Sequence, residues 1–320
     1  MMIFLLWFAA IFFSSCCCLS PLPRGISTYE VSGGSRPNAK REVRERALGA
    51  LSQALADNLK LLEVEFPALL GEKTAYDDVD NVQILNANRD WAMETAAELA
   101  QSKELWVALP DRRELELAED AWPGKVFKQA TLTTIEDAAA ALRGEEKVEQ
   151  AWGAQFSRLV ETALKKEFLG KKPDTQSAPA PDLILAVQPG DGGPLEDWLN
   201  LELLGPTADD MRKNASFALM VCNGAFDKLR GGYYPPILFP KLADCVDRFI
   251  DTFETIFYLK ALNEKGRSGW IYRVYPENWQ VIKQDRNDDV LVFESQHRPS
   301  YATAVEALLR GLPATADNPP

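Results

Sequence analysis

Three polar side chains follow apolar runs of the sequence, at positions where α/β proteins often bind ligands. The runs ELWVALP, LILAVQP and SFALMVC precede Asp111, Asp191 and Asn223, respectively. Ligands of open α/β sheets gather at the carboxyl ends of the parallel strands, so these three side chains form a candidate ligand edge. The same residue types also cap helix N-termini without any ligand, and both interpretations stay open at this point.

The loop PGDGGP (189–194) stands between a strand-like run and a helix-like run, where phosphate-binding turns occur. It lacks the GxGxxG spacing and no Gly-Lys-Ser/Thr follows it. Asp191 in its middle would repel an anion. The sequence therefore favours a plain turn over a phosphate cradle.

Two groups of carboxylates could ligate a hard cation, but neither has the twelve-residue spacing of a calcium loop. We interpret them as a solvated turn and a helix N-terminus. They are Asp77, Asp78 and Asp80 in the first group, and Asp209 and Asp210 in the second. No metal and no cofactor are expected.

Nucleophiles and bases are scarce. The chain has one histidine, His297, which excludes multi-histidine metal sites and restricts histidine-based triads to that residue. Cys222 and Cys245 lie in apolar patterns typical of buried, inert thiols. No catalytic residue can be assigned, and the residue types favour a protein that is not an enzyme.

The elements that position these residues are predicted from periodicity. Apolar residues at helical spacing predict helices over 39–62, 79–101 and 111–121, and the three apolar runs predict buried strands. A Pro- and Ser-rich linker covers 171–182. After Pro240 a helix and four closely spaced strands predict an antiparallel meander. The fold class is α/β: a Rossmann-like, partly parallel sheet flanked by helices, with an antiparallel C-terminal meander.

The N-terminal 41 residues have the composition of a leader. Residues 1–13 are apolar and uncharged, and small residues and cysteines follow, which predicts a signal peptide over 1–18. Residues 19–41 are rich in Ser, Pro, Gly and Arg, with Glu30 as the one acid, as in a transit peptide. The pair resembles the bipartite leaders of plastids of secondary origin, although these often place Phe where Leu19 stands. A short membrane anchor and a secreted protein are the alternatives.

A single α/β domain is predicted over 42–312, with a disordered tail over 313–320. The formal net charge is −12 and the acids are spread along the chain, so an acidic surface would repel nucleic-acid phosphates. We expect no nucleic-acid partner.

Several segments resemble a plastid and cyanobacterial family of unknown function. They are ALGALSQALADNLKLLEVEFPAL, NRDWAMETAAELA, ELWVALPD, LILAVQP, FALMVCNGAFDKLR, FYLKAL and YPENWQVI. The family includes the plant assembly factor named for low photosystem II accumulation and the C-terminal extension of a chloroplast adenylate kinase. The present sequence has no GxxxxGK[ST] loop, so the resemblance to the extension of the adenylate kinase implies no kinase activity. The stretches 171–181 and 233–236 depart from the pattern as insertions.

The resemblance carries the family's motif onto a set of polar and aromatic positions. Beyond Asp111 and Asn223, they are Glu63, Glu65, Phe66, Pro67, Asn88, Asp227, Tyr275, Pro276, Trp279 and Gln280. No active site is established for the family, so the resemblance implies no catalytic role for them.

The leader and the resemblance together imply a plastid protein that assists photosystem II assembly through protein–protein contacts. Its expected partners are photosystem II core subunits or assembly intermediates, and peripheral association with the thylakoid stays open. The alternative is a small-molecule or nucleotide-binding protein, or an enzyme, that uses the candidate ligand edge.

Overall fold

The computed structural model describes residues 37, 39–70, 81–122, 130–143, 181–190, 195–284, 289–311 and 314–315. Ten strands of this part form one sheet: β1 (Leu61–Glu65), β2 (Leu105–Leu109), β3 (Ala130–Thr134), β4 (Leu183–Val187), β5 (Ala218–Cys222), β6 (Glu254–Glu264), β7 (Arg267–Val274), β8 (Trp279–Gln284), β9 (Asp289–Ser295) and β10 (Ala314–Thr315). Their order across the sheet is β10-β9-β8-β7-β6-β1-β5-β4-β2-β3.

Helices flank this sheet. In the described residues they are α1 (Lys40–Ala56), α2 (Asn81–Leu99), α3 (Arg112–Ala121), α4 (Ile135–Arg143), α5 (Glu196–Leu204), α6 (Ala208–Lys213), α7 (Phe226–Arg230), α8 (Pro240–Arg248) and α9 (Tyr301–Arg310), with a 3₁₀ turn at Ile250–Thr252. None of the helices described is both long and apolar enough to cross a bilayer.

The parallel half of the sheet is covered on both faces. Strands β2, β4 and β5 are buried at every position, as expected for apolar strands between two helical layers. Alternate residues of one strand point to opposite faces. Val107 of β2 packs with α1, α2 and α3 residues, whereas Trp106 packs with α4, α5 and α8 residues. The central strand β1 pairs in parallel with both β5 and β6.

The antiparallel half of the sheet is the meander formed by β6, β7, β8 and β9. A third apolar cluster forms here against α9, with Tyr258, Trp279 and Val281 from the strands and Leu308 from the helix. Ala314–Thr315, inside the predicted disordered tail, pair in parallel with β9.

The predicted fold class is confirmed: a mixed α/β sheet with parallel core strands, antiparallel C-terminal strands and flanking helices. One element differs. The first helix was predicted to reach residue 62, but α1 ends at Ala56 and Leu61–Glu65 form the central strand. Asn58, in the left-handed region at φ 63°, separates the two. Leu59 and Leu62 continue the helical spacing by coincidence, because periodicity alone does not distinguish a short apolar strand from a helix segment.

Substitution of Gly190, in the turn after β4, can test how closely this turn packs against Trp198 of α5. It has φ +68°, and a Cβ built there would lie 2.4 Å from the Trp198 ring. Gly232 has a similar φ of +72° with no atom within 4 Å of such a Cβ. Gly190→Ala should therefore lower the free energy of unfolding by about 2 kcal/mol more than Gly232→Ala, since only the first adds overlap to the left-handed strain. Urea denaturation of both variants measures the difference, and equal losses would contradict the close packing.

Candidate functional site

The carboxyl ends of the parallel strands lie along one edge of the sheet. Asn223 directly follows β5, and Asp111 lies two residues after β2. Strand β4 runs between β5 and β2, and Gln188 follows it. Asp191, the third predicted member of the candidate ligand edge, lies outside the described residues.

Asn223 belongs to a buried amide network formed by Asn88, Gln188 and Asn223. The Asn223 Nδ2 donates to Asn88 Oδ1 at 2.7 Å, and the Asn88 Nδ2 donates to Gln188 Oε1 at 2.6 Å. The Asn223 Oδ1 accepts from the Phe66 N–H at 2.8 Å. The side chains of the network thereby connect the ends of β1, β4 and β5 to α2, because each amide offers both a donor and an acceptor.

The backbone at this edge is held in an uncommon conformation. Gln188 and Asn223 have φ values of 46° and 52°. Their N–H groups donate to the carbonyls of Cys222 and Val64, each at 2.8 Å. Positive φ outside glycine costs free energy, so the interstrand hydrogen bonds and the amide network have to stabilise this turn.

Asp111 has a different set of neighbours from Asn223. Its Oδ1 accepts from the Glu114 N–H at 2.8 Å and caps α3, which is the ligand-free role of such a residue. Close by, Asp197 is 3% exposed. Burial raises the pKa of Asp197 to about 7, the Asp111, Glu196 and Glu136 carboxylates add to this, and a hydrogen bond from the Gly190 N–H opposes it. In the part of the chain described, no group of three or more His, Cys, Asp or Glu side chains is arranged to hold a metal.

A second and larger cluster surrounds Arg298, the residue after the lone histidine. We call it the Arg298 cluster; its members come from β1, α7, β6, β8 and the segment after β9, and are Glu63, Glu65, Asp227, Tyr258, Trp279 and Arg298. Glu63 is 1% exposed although it is charged. Glu63 and Glu65 point to the same face of β1 because side chains alternate along a strand.

Arg298 connects carboxylates and aromatic rings at once. Its guanidinium donates to Asp227 at 2.5 Å and to Glu63 Oε2 at 3.3 Å. It also lies 4.4 Å from the centroid of the Tyr258 ring and 5.0 Å from that of Trp279. Burial disfavours this cation, but Glu63, Tyr258 and Asp227 outweigh that effect and raise the pKa of Arg298 above its ordinary value.

Glu63 has further partners that make its burial tolerable. The Arg230 guanidinium donates to Glu63 Oε2 at 2.7 Å, and the Thr255 hydroxyl donates to the same oxygen at 2.7 Å. A buried carboxylate requires such pairing, since its desolvation is costly.

Asp227 likewise accepts hydrogen bonds from Tyr258 and Lys260 besides Arg298. Burial alone would raise the pKa of Asp227, but these cations and hydrogen bonds lower it. Glu63 and Asp227 are therefore firmly paired carboxylates.

Glu65 is the exception among these carboxylates. Burial, with Glu63 and Asp227 nearby, raises the pKa of Glu65 from 4.5 to about 8, against the opposing effects of Arg298 and of a hydrogen bond from the Ala225 N–H. Its Oε2 is buried and has no hydrogen-bond partner among the described residues. At neutral pH Glu65 is a protonated acid beside two paired carboxylates, an arrangement that can donate a hydrogen bond or a proton.

The comparison with protein families assigns the chain. The model of a domain of unknown function, DUF1995, matches residues 37–306. The chain belongs to the DUF1995 family. No curated protein and no solved structure matches it.

The DUF1995 motif positions fall into groups in space. Glu63, Glu65, Asp227 and Trp279 are members of the Arg298 cluster, whereas Asn88 and Phe66 contact Asn223. The Phe66 ring also packs at 4.8 Å from Trp91.

The remaining motif positions make other contacts. The Tyr275 hydroxyl donates to Asp57 at 2.9 Å, and Tyr275 precedes Pro276 through a cis peptide bond. Gln280 pairs in the sheet with Tyr272 and Glu294, and Pro67 follows Phe66 just beyond β1.

Arg298, Arg230 and Asp197 of the DUF1995 domain were not singled out by sequence reasoning. Arg298 is 235 residues from Glu63 along the chain, so no spacing rule connects them. One local signal existed, because two acids two residues apart interrupt the apolar run LLEVEF and must share one face of a strand. His297 is exposed. Cys222 and Cys245 are buried, as their apolar patterns predicted, and both are free.

Removing the charge of Glu63 should destabilise the DUF1995 domain strongly. In Glu63→Gln, Arg230 and Arg298 lose their shared buried anion, and we expect the free energy of unfolding to fall by about 3 kcal/mol. Glu116→Gln is the matched control, because the Arg112–Glu116 pair is exposed and should contribute less than about 0.5 kcal/mol. Similar losses in urea denaturation of the two variants would show that Glu63 is not a buried anchor.

The raised pKa of Glu65 makes a prediction about pH. The folded state keeps a proton that the unfolded chain releases near 4.5, so this contribution to stability is complete at low pH and is lost as the pH rises through about 8. Glu65→Gln cannot ionise and should gain stability relative to the wild type between pH 5 and pH 9. Urea midpoints at both pH values measure this, and Glu277→Gln, at an exposed site, controls for the loss of one carboxylate. Parallel pH curves for wild type and Glu65→Gln would contradict the assignment.

Proposed function

We propose that this DUF1995 chain is a non-catalytic auxiliary protein of the plastid that assists photosystem II assembly through protein–protein contacts. The proposal rests on the observation that polar groups at the strand ends are hydrogen-bonded to other groups of the protein. Asn223 is hydrogen-bonded to Asn88 and to the Phe66 N–H, and Asp111 caps α3. Binding sites for small molecules need a few polar groups that are free to face the ligand.

The Arg298 cluster supports the same conclusion. Its two ionised carboxylates, Glu63 and Asp227, receive hydrogen bonds from Arg230, Thr255, Tyr258, Lys260 and Arg298. A cluster satisfied in this way rigidifies the domain. A rigid domain in which Glu63 and Asp227 are internally paired suits a binding scaffold better than a reaction centre.

The proposed compartment and the proposed client protein are inferred from the sequence. The bipartite leader supports import into a plastid, and the resemblance to a photosystem II assembly factor supports the choice of client. The expected partners are core subunits or assembly intermediates of photosystem II.

The alternative, a ligand-binding protein or enzyme at the carboxyl-end edge, is favoured by one observation. Glu65 and Asp197 both have raised pKa values, to about 8 and about 7, and perturbed carboxyls cluster at functional sites. A protonated Glu65 would be the proton donor of such a site.

Affinity purification tests the proposal. The full chain, with its own leader and a C-terminal tag, would be expressed in an alga with a plastid of secondary origin, and the proteins recovered from isolated plastids identified by mass spectrometry. We expect enrichment of photosystem II core subunits over a control in which residues 1–41 carry a fluorescent protein to the same compartment. A tagged chain that stays outside the plastid, or plastid material without these subunits, would contradict the proposal.

A further inference from the structure

An apolar tip projects between α7 and α8. We give this name to Tyr233, Ile237 and Leu238, which are 72%, 89% and 70% exposed. Aliphatic side chains this exposed, two in a row, are costly to keep in water, because each full burial of such a side chain is favourable. The exposure is a property of an ordered turn, since residues 236–238 form a hydrogen-bonded turn.

The two ends of the turn are fixed to the core. Tyr234 packs edge-to-face on Trp198, with ring centroids 5.4 Å apart, and on Phe239, at 5.3 Å. Trp198 is fully buried and donates its indole N–H to the Gly224 carbonyl. The tip is therefore held outward by a rigid aromatic base.

The backbone of the turn is poor in hydrogen-bond donors. Pro235, Pro236 and Pro240 have no N–H, and the N–H groups of Leu238 and Phe239 donate to the Pro235 carbonyl at 2.9 and 3.0 Å. In the hexapeptide 235–240 this leaves the Ile237 N–H as the remaining donor. Unsatisfied backbone groups are costly in an apolar medium, so a turn with one remaining N–H donor carries less of that cost on the donor side.

The charge around the tip differs from that of the whole chain. Residues 228–243 contain Lys228, Arg230 and Lys241 and no acid, although the formal net charge of the chain is −12. Arg230 forms ion pairs with Glu63 and Asp251. Lys228 and Lys241 are exposed; the Lys228 carbonyl accepts from the Tyr233 N–H, and Lys241 is the second residue of α8. One exposed lysine thus precedes the tip and one follows it, with Asp227 and Asp244 just beyond the two ends of the segment.

We propose that the apolar tip is a docking site for a lipid bilayer, with Ile237 and Leu238 inserted among the upper acyl chains and Lys228 and Lys241 at anionic headgroups. A convex, rigid tip with two aliphatic residues, a tyrosine and flanking lysines combines the features that favour the membrane interface. A protein partner would instead have to supply a deep pocket for Ile237 and Leu238. This inference does not rest on the proposed function, because a bilayer can bind the domain whatever its client is.

An environment-sensitive fluorophore tests the insertion. In the full chain with Cys16→Ser, Cys17→Ser and Cys18→Ser, Tyr233→Cys carries the label, since Cys222 and Cys245 are buried. We expect a blue shift on adding phosphatidylcholine vesicles that contain phosphatidylglycerol, and a weaker one without that anionic lipid. A label at Glu116→Cys should not respond, because α3 packs on the opposite face of the sheet from Tyr234 and Phe239.

Matched variants connect the signal to the tip. Ile237→Ser with Leu238→Ser should raise the lipid concentration at half-maximal blue shift at least about tenfold. Val290→Ser with Leu291→Ser, a second pair of exposed aliphatics at 41% each, should leave it unchanged. The proposal is overturned if the Tyr233 label stays in a water-like environment while the chain floats with vesicles, since residues 1–13 would then be the anchor. It is equally overturned if the shift follows protein concentration without lipid, which would indicate a second copy, or appears only with a purified protein partner.

Discussion

The buried carboxylate of Glu63 connects the central strand to the helical layer and to the segment after β9. It lies in the middle of the central strand, and its charge is balanced by Arg230 from the helical layer and by Arg298 from beyond the meander. Backbone pairing between β1 and β6 already joins the parallel strands to the meander. An ion in a low-dielectric interior needs counter-ions, and Arg298 of the segment after β9 supplies one of them. Asp227 strengthens the arrangement, because it binds the other side of the Arg298 guanidinium.

The amide network at the neighbouring strand ends acts in a comparable way. Asn88, Gln188 and Asn223 bind one another, so the edge at which α/β proteins usually bind ligands is tied together by side chains of the protein itself. Within the described residues, the polar groups of this edge serve cohesion. Glu65 and Asp197 differ from them, since burial has raised the pKa values of both carboxyls. Both carboxyls therefore titrate closer to neutral pH than an exposed carboxyl does.

The apolar tip lies on the face of the sheet that carries α4, α5 and α8. Its base, Tyr234 and Phe239, packs into the same core layer as Trp198. The Arg298 cluster reaches this region through α7, because Asp227 and Arg230 precede the tip by a few residues. The tip is therefore attached to the packed core through Tyr234 and Phe239.

The sequence by itself determined the fold class and most elements. Apolar runs such as LILAVQP specified the buried strands, and the proline- and turn-bounded strands after Pro240 specified the meander, because local periodicity and turn chemistry act over a few residues. It also placed Asp111 and Asn223 at the ends of parallel strands.

Only the tertiary structure decided the rest. Leu61–Glu65 became the central strand because pairing with β5 and β6 outweighs a helical spacing. Glu63 contacts Arg298, which is 235 residues away in the sequence, and Asn223 contacts Asn88, which is 135 residues away. Ion pairs and amide contacts of that separation form only when the sheet brings the strand ends together, and no local pattern encodes them. The exposure of Ile237 and Leu238 was also decided by the tertiary structure. From sequence alone an apolar pair is predicted to be buried, but the packing of Tyr234 on Trp198 leaves this pair on the surface.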